Sequence, residues 1–237
     1  MELGHHISQQ FNQELEDIRN QVLSMGGLVE AQTENAIRAL LDRDTELAEQ
    51  VATSDYKVNK MEVEIDEACT QVIARRQPAA GDLRLVLTVV KMISDLERIG
   101  DEAEKIGRYA MKLADKDVAS GMYAELSSLS RYVVDVLHRS LDAFARMDLQ
   151  AAVEIVSADQ EINEEFNRIS RLLVTHMMEN PRNIKNMLRV TWCARALERI
   201  GDHAQNVGEY VIYLVKGADV RHVSLEAVRE ELMDEVS

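Results

Sequence analysis

The hexapeptide Leu-Glu-Arg-Ile-Gly-Asp occurs twice in this chain, at Leu96–Asp101 and again at Leu197–Asp202. The two copies are separated by a constant offset of 101 residues, and the similarity continues beyond them, since Gly107 recurs as Gly208. Such a match indicates an internal duplication. Both copies keep a Glu and an Asp four residues apart. Core packing requires apolar residues at helical spacing and gives no reason to repeat a pair of acids.

The helix that carries each hexapeptide has apolar residues at alternating spacings of four and three, which is typical of a coiled-coil seam. In the first copy this seam consists of Leu85, Val89, Met92, Leu96, Ile99, Ala103, Ile106, Ala110 and Leu113. The same register, shifted by 101 residues, runs from Asn186 to Leu214 in the second copy. Cys193 lies on it, and we expect this residue to be a small buried apolar side chain.

Helical periodicity predicts six helices, at residues 8–42, 45–76, 82–115, 122–146, 149–179 and 182–216. Asp44, Asp82 and Asp148 are the predicted N-caps. Only 2 Pro, 10 Gly and 4% aromatic residues are present, which favours helices over sheets. We therefore expect an all-α protein with two pseudo-symmetric antiparallel three-helix bundles. The predicted bundles are residues 1–117 and 118–217, followed by an acidic tail at 218–237.

The charge balance excludes one class of partner. The chain has 42 acidic and 27 basic residues and a net charge of −15, whereas binding to nucleic acid requires clustered Lys and Arg. Two isolated cysteines fit a reducing compartment. Neither a signal peptide nor an apolar run of about 20 residues, the length that crosses a membrane, is evident in the sequence. We expect a cytoplasmic protein that meets the membrane only through partners.

The repeated acids point away from the seam. At about 100° per residue, Glu97 and Asp101 lie more than 90° from the seam and share one face of their helix. Two like charges at this spacing destabilise a helix by roughly a few tenths of a kcal/mol. A solvated surface tolerates that, but nothing would favour repeating it in both halves. The repeat therefore suggests that the acids hold a cation.

A matching polar stripe follows the preceding helix of each half. In the first half it has four members at 4-3-4 spacing, and in the second half Phe166 and Ser170 replace the last two. Oxygen ligands of this kind suit Mg²⁺, Mn²⁺ or iron, and Zn²⁺ also accepts carboxylates. The predicted metal ligands are Asp55, Asn59, Glu62, Asp66, Glu97, Asp101, Asp159, Asn163, Glu198 and Asp202.

Two other interpretations of these acids stay open. They could be solvated surface groups, or Arg98 and Arg199 of the hexapeptides could pair with acids on adjoining helices. The repeated acids could also belong to a carboxylate-bridged di-metal oxidase or ferroxidase. That class takes Glu-x-x-His ligands from two helices in a buried bundle core, whereas Glu97 and Asp101 lie off the seam. Neither a phosphate-binding glycine loop, a nucleophile elbow nor a Cys–His pair is present in the sequence.

Three segments give the chain a family resemblance. They are Arg76-Gln77-Pro78 with Asp82-Leu83-Arg84, the two hexapeptides, and the stretch Leu-Asp-Ala-Phe-Ala-Arg-Met-Asp at residues 141–148. On these segments the chain resembles the PhoU family, the accessory and regulatory proteins of phosphate-specific transport systems. The resemblance extends from Ile7 to Gly217. It implies two symmetric three-helix bundles, as the periodicity also does.

The resemblance also implies a metal site. It places multinuclear metal clusters on the bundle surface, at Glu97 and Asp101 in the first half and at Glu198 and Asp202 in the second. The partner motif falls on Asp55 with Asn59, and on Asp159 with Asn163. Many members of the family have an acid at the last position of this partner motif, where this chain has Asn in both halves.

For function, the resemblance implies a negative regulator of the phosphate-starvation response that acts without catalysis. Such a regulator couples the ATPase subunit of a phosphate ABC transporter to a membrane-bound sensor histidine kinase. When phosphate is plentiful, it keeps the kinase from activating its response regulator. The resemblance further implies a homodimer. A long, acidic, all-helical chain offers helix faces on which such partner domains would dock.

Overall fold

The computed structural model describes residues 2–119, 121–157, 159–217 and 220, with side chains from residue 9 onward except those of residues 159 and 160. Over these residues the chain forms helices and no strand. The helices are α1 (Glu2–Asp42), α2 (Thr45–Ala52), α3 (Tyr56–Arg76), α4 (Ala80–Leu113), α5 (Met122–Arg146), α6 (Leu149–Ser157), α7 (Asp159–Glu179), a short 3₁₀ helix (Pro181–Asn183) and α8 (Ile184–Lys216). The all-α prediction is confirmed. The predicted tail at 218–237 lies outside the described residues except for Val220.

The single helix predicted at 45–76 is wrong, because the chain breaks between α2 and α3. The hydroxyl of Thr53 donates to the Glu49 carbonyl at 2.9 Å, and the hydroxyl of Ser54 donates to the Val51 carbonyl at 3.1 Å. Short polar side chains that bond back to the backbone compete with the helical ladder in this way. The break leaves Asp55 at the N-terminus of α3. The helix predicted at 149–179 is described as α6 and α7 on either side of residue 158, which lies outside the described residues.

Two of the three predicted N-caps are confirmed. The carboxylates of Asp44 and Asp148 each accept a hydrogen bond at 3.0 Å from the backbone N–H three residues later. These bonds satisfy N–H groups that would otherwise be left open at a helix start. Asp82 is not a cap, because α4 begins at Ala80 and places Asp82 in its first turn.

Each half packs around its last helix. α4 lies against α1, α2 and α3, and α8 lies against α5, α6 and α7. All seam residues from Val89 to Leu113 are buried, as are those from Val190 to Val211, whereas Leu85, Asn186 and Leu214 at the seam ends are half-buried. Cys193 is fully buried, as expected. The pattern of three-helix bundles is confirmed, and the boundaries at 117/118 and 217/218 stay predictions.

The repeated glycines of α4 and α8 allow close helix packing. A Cβ atom on Gly107 would lie 3.0 Å from the backbone oxygen of Ala48 in α2. In the second half, a Cβ atom on Gly208 would lie 3.3 Å from the backbone oxygen of Ala152 in α6. Since the duplication conserves both the glycine and this contact, the two halves use the same helix-on-helix approach.

The halves join mainly through α4 and α8, which run antiparallel to each other. Near the middle, the Arg199 guanidinium forms an ion pair with Glu102 at 2.8 Å. Towards one end, Arg84 donates to the backbone carbonyl of Leu214. Towards the other, Arg189 donates to the backbone carbonyl of Lys112. α1 and α5 add a second contact between the halves. Over the described residues, no helix combines the length and apolar character needed to cross a bilayer.

Candidate metal centre

Three carboxylates meet beside the break between α2 and α3. Asp55 comes from the N-terminus of α3, and Asp101 and Glu104 come from α4. One oxygen of each lies within 4.8 Å of the others, and the three form the one such group of acidic, His or Cys side chains in the part of the chain that the structure describes. The predicted ligands Asp55 and Asp101 are therefore brought together. We call these three residues the acid cluster.

Asp55 is the most enclosed member of the acid cluster. Its side chain is buried, one oxygen accepts a hydrogen bond from the Asn59 amide at 2.9 Å, and the other, Oδ1, has no hydrogen-bond partner. Burial raises the pKa of Asp55, and the charges of Asp101 and Glu104 raise it further. In a side chain that lies close to two other acids, an orphaned buried carboxylate oxygen is a group that a bound cation would satisfy.

Glu62 and Glu97 belong to the same electrostatic environment. Burial raises the pKa of both, and Asp101 contributes to the rise in each case. They influence the acid cluster by charge, but neither is among its three members. Asp66 is exposed on α3 and acts on Glu62 as a nearby negative charge. The predicted stripe on α3 therefore contributes one carboxylate to the cluster and surrounds it with negative charge.

Two arginines moderate this concentration of acids. Arg98 of the hexapeptide lies 3.6 Å from Glu97 and 4.0 Å from Asp101, and more than half of its side chain is exposed. Arg108 pairs with Glu104 from one turn further along α4. Exposed ion pairs of this kind contribute little to stability, typically about 0–1 kcal/mol. The predicted pairing with an acid on an adjoining helix is found for Arg199, which reaches Glu102, whereas these ion pairs of Arg98 are with its own helix. Burial and the neighbouring acids still raise the pKa of Asp55.

The donor set fits a hard cation. Three carboxylates with a neighbouring amide oxygen provide only oxygen ligands, which Mg²⁺ and Mn²⁺ prefer. No histidine joins the acid cluster among the described side chains, which distinguishes it from the Glu and His ligands of di-iron helical oxidases. Asp55, Asp101 and Glu104 would hold the ion, and Asn59 would orient Asp55.

The equivalent region of the second half has different chemistry. Glu198 is buried and accepts a hydrogen bond from Arg195 at 2.5 Å, whereas the residue equivalent to Arg195 in the first half is Ser94. The Arg195 guanidinium also lies 5.6 Å from the centre of the Phe166 ring. A cationic side chain thus stands where the first half has none, and it offsets the charge of Glu198.

Further differences weaken the second-half site. Gln205 occupies the position equivalent to Glu104, so a neutral amide replaces one carboxylate of the acid cluster. Asp202 and Asn163 are half-buried. The side chain of Asp159 lies outside the described residues. The metal site at Glu198 and Asp202 stays a prediction, with one carboxylate fewer than the acid cluster at the position of Gln205.

Sequence reasoning missed Glu104. The signal was present, because Glu104 lies three residues after Asp101 and so on the same helix face. It was overlooked because the candidate ligands were chosen among residues that recur in both halves, and the equivalent of Glu104 in the second half is Gln205.

A second group missed by the sequence analysis lies between α4 and α8. Asp95 is buried and interacts with the Tyr210 hydroxyl at 2.6 Å, the His203 imidazole at 2.7 Å and the Asn206 amide at 3.0 Å. Glu102, also buried, binds Arg199 and Lys105. All of these partners except Lys105 reach across from the other half. The two acids therefore join the halves and are not available to a metal.

The two cysteines have no ligand role here. Both Cys69 and Cys193 are buried, and burial raises the pKa of each thiol, to about 12 for Cys69. A thiol must lose its proton to bind a metal or attack an electrophile. These residues are therefore inert apolar packing groups.

Comparison with known proteins finds the same duplication. The family model described as the PhoU domain matches residues 22–110 and again residues 126–211. A phosphate-specific transport system accessory protein of Serratia marcescens is 52% identical over 98% of this chain and 96% of its own length. A homologue of that name in Pseudomonas aeruginosa is 49% identical over 97% of this chain and 95% of its own length.

Solved structures agree with this match. A crystal structure of PhoU from Pseudomonas aeruginosa has a TM-score of 0.85 and 48% identity, and covers 88% of this chain and 100% of that one. A phosphate transport system regulatory protein from Streptococcus pneumoniae has a TM-score of 0.82 at 27% identity and covers 89% of this chain and 99% of that one.

Proposed function

This chain belongs to the PhoU family, and from that premise we propose that it is an accessory protein of a phosphate-specific transport system. The observation that carries the proposal is identity of 49–52% over nearly the whole length with relatives of that name. Both domain copies are matched, so the similarity includes the pairing of the halves and not one bundle alone.

Within that role, the protein acts as a negative regulator of the phosphate-starvation response. It binds the ATPase subunit of the phosphate ABC transporter and a sensor histidine kinase, and keeps the kinase inactive while phosphate is plentiful. It works from the cytoplasm, where both of these partner domains would be found, and as a homodimer. The support for an adaptor lies in long helices with exposed faces, and in relatives named for accessory and regulatory roles and not for a reaction.

A hard divalent cation at the acid cluster is part of this proposal. Its positive charge would offset the repulsion among Asp55, Asp101 and Glu104, and would thereby fix the start of α3 against α4. The orphaned Oδ1 of Asp55 and the raised pKa of that carboxyl support such a site. Mg²⁺ and Mn²⁺ fit the all-oxygen donor set, and iron and Zn²⁺ stay predictions from the sequence.

Deletion of the gene in its own host tests the regulatory role. The proposal expects alkaline phosphatase to be produced in phosphate-rich medium by the deletion strain, and repression to return when the wild-type chain is supplied from a plasmid. Normal repression in the deletion strain would disprove negative regulation. Co-purification of the transporter ATPase subunit with the tagged chain tests the accessory role separately.

A further inference from the structure

The end of the α7–α8 hairpin exposes an unusual amount of apolar side chain. On α7, Val174 and Met178 are 56% and 78% exposed. On α8, Ile184, Leu188 and Trp192 are 38%, 46% and 55% exposed. Single exposed apolar residues are normal on protein surfaces, but a group of five on one hairpin calls for an explanation. We call these five residues the hairpin patch.

The spacing of the hairpin patch gives each helix one exposed apolar stripe. Val174 and Met178 are four residues apart, and so are successive members on α8, so each set lies along one face of its helix. α7 and α8 pack against each other and are joined by a single short turn at residues 180–183. The two stripes therefore lie at the same end of the hairpin, and Met178, close to that turn, is the most exposed member.

Positive charge surrounds the hairpin patch. The segment from Arg171 to Trp192 has four Lys and Arg residues and one acid, Glu179, in a chain whose net charge is −15. Arg171, Arg182 and Lys185 are exposed, and the Arg189 guanidinium is held near the patch by the Lys112 carbonyl at 2.9 Å. The local charge is thus opposite to that of the whole molecule.

We propose that the hairpin patch docks on the surface of an anionic phospholipid bilayer, so that the protein meets the membrane directly and not, as the sequence predicts, through partners alone. Aliphatic side chains and Trp enter the boundary between headgroups and acyl chains, while neighbouring Lys and Arg bind the phosphates. The charge complementarity selects an anionic surface. The position of the exposed residues favours a bilayer over a protein helix, because apolar helix docking uses a groove, whereas the exposure here is greatest at Met178, beside the turn.

The exposed apolar stripe on α8 is larger than the one at the start of α4, although the halves share their fold. The residue equivalent to Trp192 is Lys91, and the residue equivalent to Ile184 is Leu83, which is half-buried. Leu87 is the counterpart of Leu188 and is 42% exposed, close to the 46% of Leu188. The duplication thus supplies a matched control position outside the hairpin patch.

Purified full-length protein and lipid vesicles test the proposal without any partner protein. Vesicles of phosphatidylglycerol and phosphatidylethanolamine provide the anionic surface, and phosphatidylcholine vesicles are the neutral comparison. Trp192 is the only tryptophan in the chain, so its fluorescence reports on the hairpin patch alone. We expect flotation with anionic vesicles, a blue shift of the Trp192 emission, quenching by lipids brominated on the acyl chains, and weakening with added salt.

Substitutions decide whether the hairpin patch is responsible. M178S combined with L188S keeps Trp192 as the reporter and should weaken partitioning at least about tenfold. L87S should leave it unchanged, and circular dichroism checks that both variants fold. Absence of flotation with anionic vesicles would overturn the proposal. It would also be overturned if L87S weakened partitioning into these vesicles as much as M178S with L188S does. A blue shift that depends on protein concentration without vesicles would instead assign the patch to a second copy of the chain. Binding of the wild type to an acidic protein but not to vesicles would assign it to that partner.

Discussion

The carboxylate of Asp55 lies directly against the backbone of Gly100, the glycine of the first hexapeptide. A Cβ atom at Gly100 would come 3.1 Å from Oδ1 of Asp55. In the second half, a Cβ atom at Gly201 would come 2.8 Å from the Ile162 side chain of α7. Because the repeated glycine has no side chain, a neighbouring helix can pack closely against α4 and against α8 at this position. In the first half, this close packing is what brings Asp55 up to Asp101.

We predict that Gly107→Ala destabilises the protein. The added methyl group would lie 3.0 Å from a backbone oxygen of α2, which cannot turn away as a side chain can. Overpacking of this kind typically costs about 1–3 kcal/mol, and the higher helix propensity of Ala returns up to about 1 kcal/mol. Urea unfolding should show a net loss of about 1–2 kcal/mol. Gly27→Ala is the matched control, because a Cβ atom there meets nothing within 4 Å, and it should stabilise by about 0.5–1 kcal/mol. A neutral Gly107→Ala would contradict the tight contact with α2.

We predict that metal binding depends on the first half more than on the second. Asp101→Asn removes a charged ligand from the acid cluster and should weaken Mn²⁺ binding at least about tenfold in calorimetric titrations. Asp202→Asn, the equivalent change, should have a much smaller effect, because Gln205 replaces Glu104 there and Arg195 offsets Glu198. Equal losses in the two variants would show that the halves bind metal alike. Unchanged binding in Asp101→Asn would remove the site assignment and leave the adaptor role intact.

The acid cluster should make the stability of the metal-free protein depend on pH. Because the pKa of Asp55 is raised in the folded state, the folded chain binds its proton more tightly than the unfolded chain does. The ionised Asp55 carboxylate therefore lowers the free energy of unfolding. This loss is absent at low pH, and it grows as the pH rises from about 4, the ordinary pKa of an Asp side chain, through the raised pKa of Asp55. Asp55→Asn should accordingly stabilise the metal-free protein at pH 7 and lose this advantage near pH 4.

Glu14 provides a control of opposite sign for this pH dependence. Two hydrogen bonds from Arg76, at 2.6 and 2.9 Å, lower its pKa, so its favourable contribution is present at neutral pH and is lost as pH falls through the lowered pKa. Glu14→Gln should therefore destabilise slightly at pH 7 and have no effect at low pH. Thermal unfolding of both variants across this range, in buffer with a chelator, measures the two signs. The same sign for both would refute the assignment of strain to Asp55.

The contact between the halves should depend on Asp95. Asp95→Ala removes a buried acceptor that serves Tyr210, His203 and Asn206, and we expect the free energy of unfolding to fall by about 2–4 kcal/mol. Ser94→Ala, at the exposed neighbouring position, should change it by less than about 0.5 kcal/mol. If Asp95→Ala were as mild as Ser94→Ala, the network would be incidental to the packing of α4 on α8.

The duplication, the helical class and the buried seams of α4 and α8 were all predictable from the order of the residues. These are properties of spacing along the chain, and an offset of 101 residues or a period near 3.6 can be read without knowing which helix packs on which. The sequence also identified Asp55 and Asp101 as candidate ligands on facing stripes. The break at residues 53–55 was missed, because it depends on hydroxyl groups that bond back to the backbone within an otherwise regular apolar pattern.

The role of each acid on α4, in contrast, depends on how the helices pack. Asp95, Asp101 and Glu102 all lie within two turns of α4, yet Asp95 and Glu102 face α8 and join the halves, while Asp101 faces Asp55. Which neighbour a side chain meets depends on the packing of helices that are distant in sequence. The repeated acids identified the helix face that carries the acid cluster. They did not identify Glu104, and they did not show that the two halves differ at this site. Both features depend on contacts of residues that differ between the two halves, such as Glu104 and Gln205.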